Sequence, residues 1–181
     1  MEGIFGKPIV TQEEVRTRIR ELGRQITADY AHKDLLLIGI LKGACMFYAD
    51  LARAISLPLR VDFLVVSSMH KTPKTTERVN ILTELTEEVA GRDVLLVEDI
   101  VDSGHTVQYL RQILERRGPK SVKVCSLLNK PDRRAVEVVV DYVGFNIPNK
   151  FVIGYGLDYQ QKYRNLPYLA VLDRVDQEEE T

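Results

Sequence analysis

The sequence predicts an α/β fold in which parallel strands pair in an open sheet. Short apolar runs of strand length alternate with amphipathic stretches at helical spacing, the pattern that brings successive strands side by side in one direction. A chain of 181 residues, 45% apolar and 28% charged, is long enough to bury a substantial core as one globular domain spanning residues 1–181. No apolar stretch approaches the roughly 20 residues needed to cross a bilayer, so membrane insertion is not expected.

Residues 11–30 place Val15, Ile19, Leu22 and Ile26 on one helical face, and Thr11 with Glu14 can close a capping box. The apolar run 35–41 reads as a strand that ends at Lys42-Gly43, and a helix over 44–55 carries Met46, Phe47 and Leu51. Residues 61–67 suggest another strand. The polar stretch 68–78 has no apolar periodicity, contains Pro73, and reads as a mobile loop. Strands are then expected at 79–82 and 94–97. A helix over 106–117 is built on Val107, Leu110, Ile113 and Leu114 and stopped by Gly118-Pro119. A strand over 122–128 follows, with shorter β candidates at 142–145, 151–153 and 168–172. The acidic tail, Asp176 to Thr181, reads as a solvated end.

Composition narrows the chemistry. Cys45 and Cys125 are too few for a disulfide framework or a four-cysteine zinc site, and both are expected to be buried. The N-terminus shows no basic start followed by an apolar block, so an intracellular, cytoplasmic protein is expected. A net charge of −1 argues against broad attraction to nucleic acid. Any anionic ligand must therefore meet local cations.

Residues 94–106, VLLVEDIVDSGHT, carry the most information. A buried strand runs into Glu98, Asp99 and Asp102, then into Ser103, Gly104, His105 and Thr106 at a helix start. Helix N-termini offer free N–H groups and partial positive charge, and open α/β sheets bind ligands beyond the carboxyl ends of their strands. Gly104 lets backbone approach phosphate oxygens, and Ser103 and Thr106 add hydroxyl donors. Carboxylates repel phosphate, so Glu98 and Asp99 need a ribose diol or a ligand-bound Mg²⁺. The acids could instead merely cap the helix. Three acids beside a glycine-hydroxyl loop fit that alternative poorly.

VEDIVDSGHT resembles the phosphoribosyl-pyrophosphate motif of type I phosphoribosyltransferases: two acids, then D-[ST]-G-x-T. The resemblance to the hypoxanthine-guanine branch runs along nearly the whole chain, through ELGRQI, LKGACMFYADL, VDFLVVSS, SLLNKPDRR, VGFNIPNKFVIGYGLDY and YRNLPY. It implies a twisted parallel core sheet flanked by helices, with a small hood over the base formed partly by the C-terminal segment. The substrates it implies are phosphoribosyl pyrophosphate and a 6-oxopurine, with Mg²⁺ as cofactor and a homodimer or homotetramer as the assembly.

Residue by residue, the resemblance puts Glu98 and Asp99 on the ribose hydroxyls and on Mg²⁺. Asp102 lies near N7 of the purine as the catalytic group, suited to act as general base or to stabilise a cationic ribose. Ser103, Gly104, His105 and Thr106 hold the 5-phosphate, His105 through its backbone. Lys42 and Gly43 form the pyrophosphate loop, whose family hallmark is a cis peptide. Lys130 donates to the purine O6 and so favours oxopurines over adenine. Phe151 stacks on the base and Val152 offers its backbone to the base edge. Asp158 completes the purine and Mg²⁺ sites, while Ser68 and Arg164 bind pyrophosphate. From pattern alone, Lys42 and Lys130 could be solvated lysines, Phe151 a core residue, Asp158 a turn residue and Arg164 a surface cation. The lid over 68–78 departs from the family in having Met69 where tyrosine is usual.

Three competing activities remain at this level. A noncatalytic sensor of phosphoribosyl pyrophosphate would need a nucleic-acid surface that the charge does not supply. A pyrimidine or adenine phosphoribosyltransferase is disfavoured by Lys130 and KFVIGYGLDY. Hypoxanthine, guanine and xanthine are not ranked by the sequence.

Overall fold

The near-continuous apolar runs of β2 (Leu35–Leu41), β5 (Asp93–Val101) and β6 (Ser121–Asn129) are what strands covered on both faces require. In the structure, a computed structural model describing residues 8–69 and 78–172, they form the centre of a six-stranded sheet. β3 (Arg60–Met69) and the antiparallel edge strand β4 (Arg78–Thr83) extend it on one side, and the parallel β7 (Tyr142–Asn146) on the other. The order β4-β3-β2-β5-β6-β7 is mixed but mostly parallel. Chain order runs outward from β2 in one direction and from β5 in the other. The β2/β5 boundary is therefore a topological switch point, where such sheets open a ligand crevice.

Alternation along each strand sends side chains to two cores. Leu35, Leu37, Leu95, Val97, Cys125 and Leu127 pack beneath α1 (Gln12–Asp29) and α2 (Cys45–Ala54), against Ile19, Leu22, Phe47 and Leu51. Leu36, Ile38, Val94 and Leu96 meet Leu110 and Leu114 of α3 (His105–Glu115) on the opposite face. The capping box closes as expected: Thr11 N donates to Glu14 Oε2 at 2.7 Å and Glu14 N to Thr11 Oγ1 at 3.3 Å.

A second, three-stranded sheet pairs β1 (Pro8–Val10), β9 (Leu169–Val171) and β8 (Val152–Ile153) in that order, antiparallel throughout. β1 was not anticipated, being only three residues long. β5 also runs past its expected end at Val97 to Val101, because main-chain pairing with β6 continues through Ile100 and Val101 whatever the side chains. Cys125 is buried as expected. Cys45 is only half-buried, because it begins α2 rather than lying within it. Residues 70–77, which hold most of the expected lid, and the acidic tail lie outside the described residues. Among the described residues no helix is long and apolar enough to cross a membrane.

Candidate active site

The site grows out of the carboxyl ends of β2, β5 and β6. Parallel register sets Val101 opposite Asn129, so the residues just beyond, Asp102 and Lys130, emerge side by side. Lys130 N donates to Val101 O at 3.0 Å, and Lys130 Nζ lies 3.1 Å from Asp102 Oδ2. The other carboxylate oxygen, Oδ1, is 3.2 Å from Arg133 Nε. Lys130 is 7% exposed, so it is not a solvated strand-end lysine.

After Asp102 the chain turns into α3 through Gly104, whose φ of 91° is left-handed and favours glycine. A Cβ there would also meet Val138 Cγ1 at 2.9 Å. A cavity of about 320 Å³ opens above this turn, and six of the predicted residues line it: Glu98, Asp99, Asp102, Ser103, Gly104 and Thr106. Arg133 joins them. His105 is the first residue of α3, and its first-turn amides have no intrahelical acceptor.

Lys42 and Gly43 follow β2 directly, and the Leu41–Lys42 peptide is cis, the feature the resemblance implies for this loop. Gly43 lies against the acids of β5: a Cβ on it would fall 1.7 Å from Asp99 Oδ2. Gly156 abuts the same loop, its virtual Cβ 2.0 Å from Gly43 O. Arg164 Nη1 donates to Gly156 O at 2.6 Å, while its Nη2 pairs with Asp158 Oδ1 at 2.6 Å. The predicted pyrophosphate binder and the predicted third metal ligand are thus each other's partners. Asp158 Oδ2 also accepts from Gln161 N at 2.8 Å.

Electrostatics single out the acidic pair. Glu98 is 7% exposed and its Oε2 is buried without a hydrogen-bond partner. Burial, then the neighbouring Asp99, raises its pKa well above the ordinary carboxylate range. Asp99 is pushed up to about 6, chiefly by burial, although the backbone N–H of Ile100 and the charge of Arg164 pull it down. A buried carboxylate oxygen with no partner calls for a cation or a hydroxyl donor. Among the described residues no three His, Cys, Asp or Glu side chains cluster as a ready-made metal site.

On the base side, Phe151 is 46% exposed and makes an edge-to-face contact with Tyr159, ring centroids 5.8 Å apart at 85°. It sits just before β8 rather than in the core. Val152 is buried and pairs with Val171. Ser68 lies near the end of β3, opposite Val79. Sequence reasoning gave Arg133 and Gly156 no role of their own, only a place in the SLLNKPDRR and VGFNIPNKFVIGYGLDY segments. No local pattern assigned Gly156 its approach to Gly43, whereas the basic pair Arg133-Arg134 just after Lys130 was a usable sign of an anionic ligand.

The arrangement combines an anion cradle, an acidic pair needing a hydroxyl or cation, and a carboxylate–ammonium pair beside them. Residues 7–160 match the family model described as phosphoribosyl transferase domain. A hypoxanthine phosphoribosyltransferase of Salmonella typhimurium is 48% identical over 171 residues, covering 93% of this chain and 96% of that protein. A hypoxanthine-guanine phosphoribosyltransferase of Mycobacterium avium is 49% identical over 171 residues, with coverages of 91% and 84%. The structure of hypoxanthine phosphoribosyltransferase from Trypanosoma cruzi in complex with the product IMP superimposes with a TM-score of 0.88 at 42% identity, covering 95% of this chain and 96% of that one.

Proposed function

The chain belongs to the phosphoribosyl transferase family, and from that premise we propose that it is a purine-salvage enzyme joining hypoxanthine, guanine or both to the ribose 5-phosphate of phosphoribosyl pyrophosphate. The products are IMP or GMP and pyrophosphate. One observation carries this reading: Lys130 is held 3.1 Å from Asp102, beside a cavity floored by Glu98, Asp99 and the Ser103–Thr106 turn.

Ser103, Gly104, His105 and Thr106 bind the 5-phosphate at the α3 N-terminus. Glu98 and Asp99 take the ribose hydroxyls. Lys42, Gly43, Ser68 and Arg164 hold the pyrophosphate, whose charge suits an arginine fork and main-chain N–H groups. Phe151 stacks on the base, Val152 reads its edge through the backbone, and Lys130 donates to O6. Adenine offers an amino group at that position and cannot accept the bond. N9 of the base bonds to C1′ as the C1′–O bond to pyrophosphate breaks, its electron pair leaving with the oxygen. The proton on N7 passes to Asp102, whose negative charge also stabilises the cationic ribose.

The unpartnered Glu98 Oε2 and the raised pKa of Asp99 fit Mg²⁺ as a resident cofactor. Glu98, Asp99 and Asp158 would hold it, and it would neutralise charge on the leaving group. We read the chain as one domain, with the three-stranded sheet as the hood over the base. It acts in the cytoplasm as a homodimer or homotetramer. Val61 and Phe63, neighbours on one face of β3 and 50% and 38% exposed, support an assembly interface. Incubation with phosphoribosyl pyrophosphate, Mg²⁺ and hypoxanthine or guanine should yield the nucleotide. Tight phosphoribosyl pyrophosphate binding without product would favour a sensor.

A further inference from the structure

Arg134 follows the site residues, and its guanidinium is half-buried. Its Nη1 donates to Val101 O at 2.8 Å and to the carbonyl oxygen of Asp102. Its Nη2 donates to Asn129 Oδ1. Asn129 Nδ2 in turn donates to Asn146 Oδ1 at 2.7 Å. One side chain therefore ties together the ends of β5 and β6, and through Asn129 the end of β7, from which the chain continues to Phe151. Burial costs this cation something, since desolvation lowers its pKa against the opposing pull of Asp102.

These bonds fall at the hinge of the reacting groups. Val101 O receives both Arg134 Nη1 and Lys130 N, so the main chain on either side of the Lys130–Asp102 pair is fixed from the same point. Without Arg134, Val101 O would keep its bond from Lys130 N, whereas the Asp102 carbonyl would lose the guanidinium donor. A planar fork with its donors fixed leaves the Asp102 peptide one orientation, which a flexible ammonium cannot reproduce. We propose that Arg134, buttressed by Asn129 and Asn146, is a positioning residue that aims Asp102 at the purine ring. This rests on the reading of Asp102 as the group that takes the purine proton. Displacement of a catalytic group by about 1 Å costs on the order of 100-fold in rate, so the brace acts on turnover rather than on binding.

The test is a cycle of Arg134→Lys, Asp102→Asn and the double variant, with kcat for IMP formation and the Kd of phosphoribosyl pyrophosphate measured for each. Arg134→Lys should lower kcat by about 10- to 100-fold with its Kd for phosphoribosyl pyrophosphate within about threefold of the parent, because phosphate binding uses the α3 turn. In the Asp102→Asn background the same substitution should change kcat by less than about threefold, since the group it aims has gone. A merely structural arginine would cost the same in both backgrounds and would weaken binding equally. Asn129→Ala serves as a milder variant that keeps the carbonyl bonds, with a smaller loss of the same kind expected. Full turnover in both Arg134→Lys and Asn129→Ala, with Asp102→Asn impaired, overturns the brace and leaves the reaction reading intact. Full turnover in Asp102→Asn overturns both.

Discussion

Replacing Lys130 by methionine removes a charge while keeping the length of a buried stem, and the structure sets the size of two opposing consequences. Lys130 is 7% exposed, its Nζ 3.1 Å from Asp102 Oδ2. Asp102 is 37% exposed at the side chain and keeps Arg133 at 3.2 Å, so the carboxylate left behind remains solvated and partnered. Ion pairs screened in this way contribute below about 1 kcal/mol, and the variant should stay folded. The proposed bond to O6, by contrast, would be made by a charged donor and be worth roughly 1.5–3 kcal/mol. That corresponds to a fall of about 10- to 150-fold in kcat/KM for hypoxanthine and guanine. Steady-state kinetics with both bases, alongside calorimetric binding of phosphoribosyl pyrophosphate, separates the effects. Loss of kcat/KM with intact phosphoribosyl pyrophosphate affinity supports the O6 assignment. An unchanged kcat/KM, or equal loss of both, refutes it.

Three further substitutions probe the rest of the site. Asp102→Asn keeps size but removes the proposed proton acceptor and should lower kcat by about 100- to 10,000-fold with little change in phosphoribosyl pyrophosphate affinity, measured by single-turnover product formation. Gly43→Ala drives a methyl group into Asp99 Oδ2, 1.7 Å from the ideal Cβ, so either the loop or the carboxylate must move; phosphoribosyl pyrophosphate Kd should rise at least about tenfold. Asp99→Asn should stabilise the ligand-free, metal-free protein in urea unfolding as pH rises. The folded pKa of Asp99 is raised from 3.8 to about 6, so its cost is absent below 3.8 and complete above 6. The gain at pH 8 is at most about 3 kcal/mol, and a gain that does not depend on pH would contradict the assignment of cause.

Much of the fold was legible because it rests on local pattern. Thr11 and Glu14 announced the first helix by spacing alone, and the four apolar residues 94–97 announced a doubly covered strand. The glycine turn into α3 was legible too, since Gly104 and its flanking hydroxyl residues are contiguous. What stayed hidden depends on pairing between distant segments. Gly43 touches Asp99 only because β2 lies beside β5, and no local signal carries that approach. The pairing of Asp158 with Arg164 is similar: each was read as a ligand contact, and the turn between them makes them partners first. Arg133 and Arg134 fall in a polar segment without periodicity, where a basic pair looks solvated. Their acceptors are defined by the β5–β6 register instead. β1 was hidden because a strand of three residues is held by its partner β9 rather than by its own pattern.

The central claim is that this site makes a purine nucleotide by transfer of a phosphoribosyl group to a 6-oxopurine. It is tested most directly by incubating the protein with phosphoribosyl pyrophosphate, Mg²⁺ and, separately, hypoxanthine, guanine, xanthine, adenine and uracil, and identifying the products by chromatography and mass. The account predicts IMP, GMP or both, with stoichiometric pyrophosphate, no AMP or UMP, and no product when Mg²⁺ is chelated. Nucleotide from adenine or uracil, or no nucleotide from any base while phosphoribosyl pyrophosphate remains bound, would contradict it.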